Sequence, residues 1–138
     1  MARYRELLGL EDWNFNEVDS EKGLGKSFHA ASGPVDVKAL IAWTTLGSME
    51  LELIEPRDRE SVYARFLRER GPGIHHVMFA TPDFDDCSRA LQQAGLPLLV
   101  TGELQDTRFQ LLDAREELGI ILEIAPGGPL VSDRRSSG

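Results

Sequence analysis

A single cysteine, Cys87, leaves the chain without a partner for an internal disulfide, which points to a reducing compartment. Long apolar runs are also missing. The longest is about five residues, as in Ala39-Leu40-Ile41-Ala42-Trp43, far short of the roughly 20 needed to span a bilayer as a helix. No charged, apolar and small-residue leader opens the chain, so the expectation is a cytoplasmic protein with no membrane contact. Positive charge is the scarcer sign. Fifteen Lys plus Arg stand against twenty-three Asp plus Glu, a net charge of −8, which argues against nucleic acid or an anionic membrane as the partner. What remains is 138 residues, enough for one ordinary domain that buries roughly 68% of its unfolded surface without staples.

Strand and helix periodicities divide the chain. Tyr4, Leu7 and Leu8 recur at helical spacing over Arg3 to Leu8, and Gly9 stands where a left-handed residue would close that helix. Trp13 to Val18 alternates, with Trp13, Phe15 and Glu17 opposite Asn14, Asn16 and Val18, and leads into a loop over Glu21 to Pro34, expected to be mobile. Val35 to Thr44 and Met49 to Glu55 form a hairpin turned by Leu46-Gly47-Ser48. Asp58 to Arg70 reads helical, and Gly71-Pro72-Gly73 punctuates it. Ile74 to Ala80 is a strand. Thr81-Pro82-Asp83 offers a cap, a proline for the first helical position and an acid for the first turn of a helix ending at Gly95. Pro97 to Val100, Thr107 to Leu112 and Ile120 to Ile124 follow as strands, and Gly127 to Gly138 reads as a frayed tail.

The two halves repeat. A helix closing on Gly-Leu is followed each time by three strands, and the last strands match best: Leu51-Glu52-Leu53-Ile54 before Pro56, and Leu122-Glu123-Ile124-Ala125 before Pro126. The expected organisation is therefore a first module over 1–56 lacking its opening strand, a connecting helix and linker over 57–73, a second module over 74–126, and a tail over 127–138.

Chemistry-bearing residues sit on these strands. Period-two geometry puts Glu52 on the face of Ile54, opposite Leu51 and Leu53, and puts Glu123 with Ile121 and Ala125. A carboxylate among apolar neighbours must be paired, protonated or bound to a cation. The bland alternative is a pair of edge-strand glutamates reaching solvent or meeting arginines. His75 and His76 fall on opposite faces, the second beside Ile74 and Met78, so only one can face a given site. With Glu52 and Glu123, a strand histidine makes an N,O,O set suited to Mn, Co, Ni, Zn or Fe. His29 lies in the loop and is expected to be solvated. Arg108 and Gln110 share one face of their strand, where an arginine would suit a substrate carboxylate or phosphate, surface solvation being its alternative role.

Gly71-Pro72-Gly73-Ile74-His75-His76-Val77, Leu51-Glu52-Leu53-Ile54-Glu55-Pro56 and Ile121-Leu122-Glu123-Ile124, in this order and spacing, resemble the vicinal oxygen chelate (glyoxalase/bleomycin resistance/dioxygenase) superfamily, nearest its methylmalonyl-CoA epimerase-like and glyoxalase-like branch. The resemblance implies an α+β fold of paired βαβββ modules curled into a cup, with a divalent metal inside and substrate chelated through neighbouring oxygens. It assigns the metal to Glu52, His76 and Glu123. A fourth ligand, a histidine on the opening strand of the first module, has no counterpart here, which leaves an open sheet edge for a tail or a partner subunit to cover. For proton transfer the resemblance expects a base on the Val35 to Thr44 strand, where Lys38 and Asp36 are the candidates. The implied activity is metal-assisted proton abstraction from a small oxo-acid or acyl thioester, of epimerase, isomerase or lyase type, in a homodimer. The competing readings are a metal-free binding or sequestering protein of the same fold and, ranked below it, an Fe(II) dioxygenase, which would need two histidines and one carboxylate.

Overall fold

A computed structural model describes residues 1–21, 28–104 and 106–127, together with the backbone of 134–136. Helix α1 (Ala2–Leu8) closes on Gly9, whose φ of 67° supplies the left-handed residue expected there. Strand β1 (Trp13–Asp19) follows. The expected mobile loop divides: residues 22–27 lie outside the described residues, whereas β2 (His29–Ala30) and β3 (Gly33–Pro34) pair with each other. β2 also meets a later strand through His29 and Thr101, and Phe28 just before it is buried.

β4 (Lys38–Leu46) and β5 (Met49–Pro56) form the expected hairpin, turned at Gly47 with φ 63°. Helix α2 (Val62–Arg70) starts later than its periodicity predicts, because side chains hold the preceding turn. Asp58 accepts from the backbone N–H groups of Lys38, Glu60 and Ser61, and Ser61 Oγ caps the helix by accepting from Ala64 N–H. β6 (His76–Ala80) is followed by α3 (Phe84–Gln93). Asp83, not Thr81, occupies the cap position, so Pro82 lies outside the helix. β7 (Leu98–Leu104) and β8 (Thr107–Ala114) lead through the four-residue α4 (Arg115–Leu118), which the sequence reading did not foresee, to β9 (Ile120–Ala125). The tail is not wholly frayed. Residues 134–136 form β10 (Arg134–Ser136), antiparallel to β1 with Trp13 opposite Ser136, while 128–133 and 137–138 lie outside the described residues.

Two sheets result, the first antiparallel throughout and the second of mixed strand orientation. One runs β10-β1-β4-β5 and the other β3-β2-β7-β8-β9-β6, with β6 parallel to β9 and the remaining pairs antiparallel. Alternation sends Val18 and Ala39 of the first sheet inward, with Val37 just ahead of β4, to meet Phe109, Leu111 and Ile121 of the second, forming a core between them. The opposite face of the second sheet packs Leu112, Leu122 and Ile124 under Phe84 and Cys87 of α3. Leu111 and Leu112 are fully buried, and each such side chain contributes about 1.5–3 kcal/mol on leaving water. Among the described residues β5 and β6 each have a strand on one side alone, and β10 covers the other side of β1.

Candidate metal centre and its cavity

The alternation of three strands builds the site. On β5, Glu50, Glu52 and Ile54 share the inner face. On β6 that face carries His76 and Met78, and on β9 it carries Glu123 and Ala125. The parallel register sets Met78 opposite Glu123, which leaves His76 within reach of the same carboxylate. All of these residues line one cavity of about 90 Å³ between the sheets. Its other walls are apolar, from Val18, Val37, Ala39 and Ile41 on one side and Phe28 and Phe109 on the other. Gly102 permits the Phe109 wall: a Cβ there would lie 2.6 Å from the ring.

Electrostatics bind the polar residues into one group. His76 Nε2 lies 2.9 Å from Glu123 Oε2, with the two side chains only 12% and 15% exposed. Burial and then the charge of Glu123 push the Glu52 carboxyl up to about 7, against the opposing pull of His76. Burial disfavours the His76 imidazolium, but the hydrogen bond to Glu123 and the charges of Glu123 and Glu52 outweigh it and raise His76 above its usual range. Tyr63 of α2 also lines the cavity, and burial followed by the same two carboxylates raises its phenol well above the ordinary value.

His75 lies behind this group. Its ring stands 4.9 Å from that of Tyr63 and 5.0 Å from that of Phe66, and its Nδ1 is 2.9 Å from His76 Nδ1. Burial first, then the charge of His76, lowers it to about 4, so it stays neutral through the physiological range.

The chain thus brings Glu52, His76 and Glu123 to one cavity, although the arrangement differs from a closed ligand set. His76 and Glu123 bond to each other, and among the described residues no group of three or more His, Cys, Asp and Glu side chains is disposed to hold a metal ion. The donor types suit a divalent ion, and the surplus negative charge felt by Glu52 is one that a cation or a proton would offset.

The expected proton-transfer residues lie elsewhere. Val37 and Ala39 take the inner face, so Asp36 and Lys38 alternate away from it. Lys38 Nζ donates to Glu21 Oε2 at 2.8 Å, and Asp36 accepts from Ser20 Oγ. Arg108 and Gln110 also fall outside the cavity, on the side of the sheet that α3 covers. Arg108 makes a two-pronged contact with Asp85 and stacks 4.8 Å over Phe84, while Gln110 accepts from Ser88 Oγ. His29 is exposed, as expected. Sequence reasoning missed Glu50, Tyr63 and the aromatic wall. Glu50 was available from the Met49-Glu50-Leu51-Glu52 alternation, whereas Tyr63 and Phe28 reach the cavity only through tertiary packing.

Residues 1–109 match the model of the Glyoxalase/Bleomycin resistance protein/Dioxygenase superfamily. The chain belongs to this superfamily. It is 28% identical over 122 residues to the uncharacterized protein YqjC of Bacillus subtilis strain 168, covering 85% of this chain and 87% of that one. In structure it is similar to hypothetical protein BH1468 of Bacillus halodurans C-125, with a TM-score of 0.67 at 20% identity over 94% of this chain and 85% of the other. A methylmalonyl-CoA epimerase from Mycobacterium tuberculosis is similar with a TM-score of 0.61 at 21% identity, over 93% and 78% of the two chains. These structural likenesses establish the superfamily's cup for this protein. No helix among its described residues is long and apolar enough to cross a membrane.

Proposed function

We propose that this superfamily member is an enzyme that takes a small oxo-acid, or the acyl end of a thioester, into the cup and removes a proton beside its carbonyl. Glu52, His76 and Glu123 would hold a divalent ion at the polar end. Such an ion, when bound, polarises a carbonyl and stabilises the enolate oxygen. The observation that carries the reading is the gathering of two carboxylates and one imidazole at one end of an apolar cavity, close enough that the charge of Glu123 adds to burial in raising the proton affinity of Glu52. The epimerase likeness supports the choice of substrate class. The size of the cavity supports a small acid or acyl group as the occupant, being well below the roughly 300–1,000 Å³ of a drug-sized site. The apolar walls exclude water from the reacting carbon, and the Glu52 carboxyl, at about 7 in the metal-free cavity, would give up its proton to a bound cation.

The reading includes a homodimer. Its support is the one-sided pairing of β5 and β6, together with the exposure of Val77, Met78 and Phe79 on β6. Light scattering that gave a monomer at micromolar concentration would remove this part alone.

Calorimetric titration with Mn, Co, Ni and Zn, compared between the wild type and His76→Ala, tests the metal reading. Loss of binding in the variant supports it, and equal binding by both proteins takes His76 out of the site. A second reading, a binding or sequestering protein that works without metal, is favoured by the direct His76–Glu123 bond, which occupies the donors a metal would need. Substoichiometric metal in tag-free protein, measured by elemental analysis, would select it.

A further inference from the structure

Gly102 lies in the interior of β7 and lacks the positive φ that would call for a glycine. A glycine there weakens the strand and gives up side-chain packing, so what it supplies is room for something that comes close. Phe109 is its direct partner across the β7–β8 pair, and the bridge between His29 and Thr101 brings Phe28 to its other flank. A Cβ on Gly102 would lie 2.6 Å from Phe109 Cζ and 3.0 Å from Phe28 Cδ1. Both rings therefore lean over bare backbone, where they meet edge to face with 5.5 Å between centroids. Each is buried, and each lines the cavity.

Strand order sets this pair against the polar residues. β5 and β6 end the two sheets on one side and carry Glu52 and His76, with Glu123 next in on β9. The rings stand farther along the second sheet, over β7 and β8, so the cavity runs across the strands from a polar end to an aromatic one. We propose that Phe28 and Phe109, seated on Gly102, set the length of carbon chain that the cup accepts. This rests on the reading of the cup as the site for an acid or acyl group, and it adds the size of that group: with the carbonyl at the polar end, a short aliphatic tail runs along the apolar walls and stops at the rings. Each methylene that finds room leaves water and tightens binding about fourfold. One that does not must push aside aromatic rings packed in the core, which reverses the gain. Gly102 sets where that happens. A side chain there drives the Phe109 ring toward the cavity and shortens the space, whereas a smaller residue in place of either ring lengthens it.

Calorimetric titration of metal-free protein with straight-chain primary amides, from propionamide to octanamide, reads the limit directly. The amides are neutral, so the carboxylates of the cup do not repel them, and their N–H groups suit those carboxylates. Wild-type affinity should rise about fourfold per methylene, pass through a maximum and fall. Phe109→Leu should move the maximum to a longer amide and Gly102→Ala to a shorter one, with Phe28→Leu standing in for Phe109→Leu if thermal unfolding shows the latter to be unfolded. A wild-type affinity that climbs through octanamide without a break overturns the proposal, as do the absence of amide binding and a maximum that the variants leave in place or move in one common direction. Titration of zinc-treated protein with straight-chain oxo-acids from pyruvate upward separates this from the metal reading. If zinc does not bind, the metal reading fails and the amide series still decides the role of the rings; if zinc and pyruvate bind while the amides show no limit, the length reading fails alone.

Discussion

His76 and Glu123 touch at 2.9 Å across two parallel strands, β6 and β9, that no turn connects. The contact therefore depends on the pairing register of these strands. A one-residue slip of β6 along β9 would turn His76 to the opposite face of the sheet, away from Glu123. Removing one partner leaves the other polar group poorly solvated in a mostly apolar cavity. Glu123→Ala is expected to lose about 1–3 kcal/mol of stability by denaturant titration, with Glu123→Gln, which retains an acceptor, losing less.

The titration of Glu52 should be visible in stability. Its folded value of about 7 lies above the ordinary 4.5, so the folded state binds its proton more tightly than the unfolded chain does. Stability from this group is full below the ordinary value, declines as pH rises through about 7, and levels off above. His76, raised above 6.5, adds a loss in the same direction as pH climbs through its folded value. Glu52→Gln removes the first of these. Relative to the wild type it should gain up to about 3 kcal/mol at about pH 8 and show little gain at about pH 4, measured by chemical denaturation at both. An equal difference at the two pH values would contradict the assignment.

The sequence displayed the inner faces of the strands well, because period two is a local property. It put Glu52 and Glu123 on apolar faces, whereas the choice of His76 over His75 and its grouping with them came from the resemblance. The same alternation puts Lys38 and Asp36 opposite Val37 and Ala39, which take the cavity face, and the two were candidates through the resemblance alone. Arg108 and Gln110 share a face as read, but which face looks into the cup depends on how β8 sits between β7 and β9 and where α3 packs. The turn of α4 is too short to leave a periodicity. The pairing of β10 with β1 joins segments at opposite ends of the chain and has no local signature.

Lys38→Ala and Arg108→Ala should accordingly leave ligand binding in the cup unchanged. Both side chains are spent on exposed ion pairs, with Glu21 and Asp85, and such pairs are worth roughly 0–1 kcal/mol. Calorimetry with the same metal or acid ligand checks this, and a tenfold loss for either variant would return that residue to the site.

Gly102 makes a different prediction. Its absent side chain leaves room for Phe109 and Phe28, whose rings stand edge to face with centroids 5.5 Å apart in the cavity wall. Gly102→Ala must displace the Phe109 ring, at a cost of about 1–3 kcal/mol in a packed core, and should weaken ligand binding without touching a polar group. Thermal unfolding and calorimetry together test this, since an unaffected affinity would mean that the displaced ring leaves the cavity as it was.

The ladder between β1 and β10 also has a meaning for biosynthesis. Trp13 to Phe15 leave the ribosome long before their partners at 134–136, which lie far along the same chain. Throughout that interval the outer rim of β1 offers its amide and carbonyl groups to any extended polypeptide nearby. Crowded neighbouring nascent chains would thus compete for this rim, and expression at lower temperature or with a chaperone present should raise the yield of correctly closed molecules.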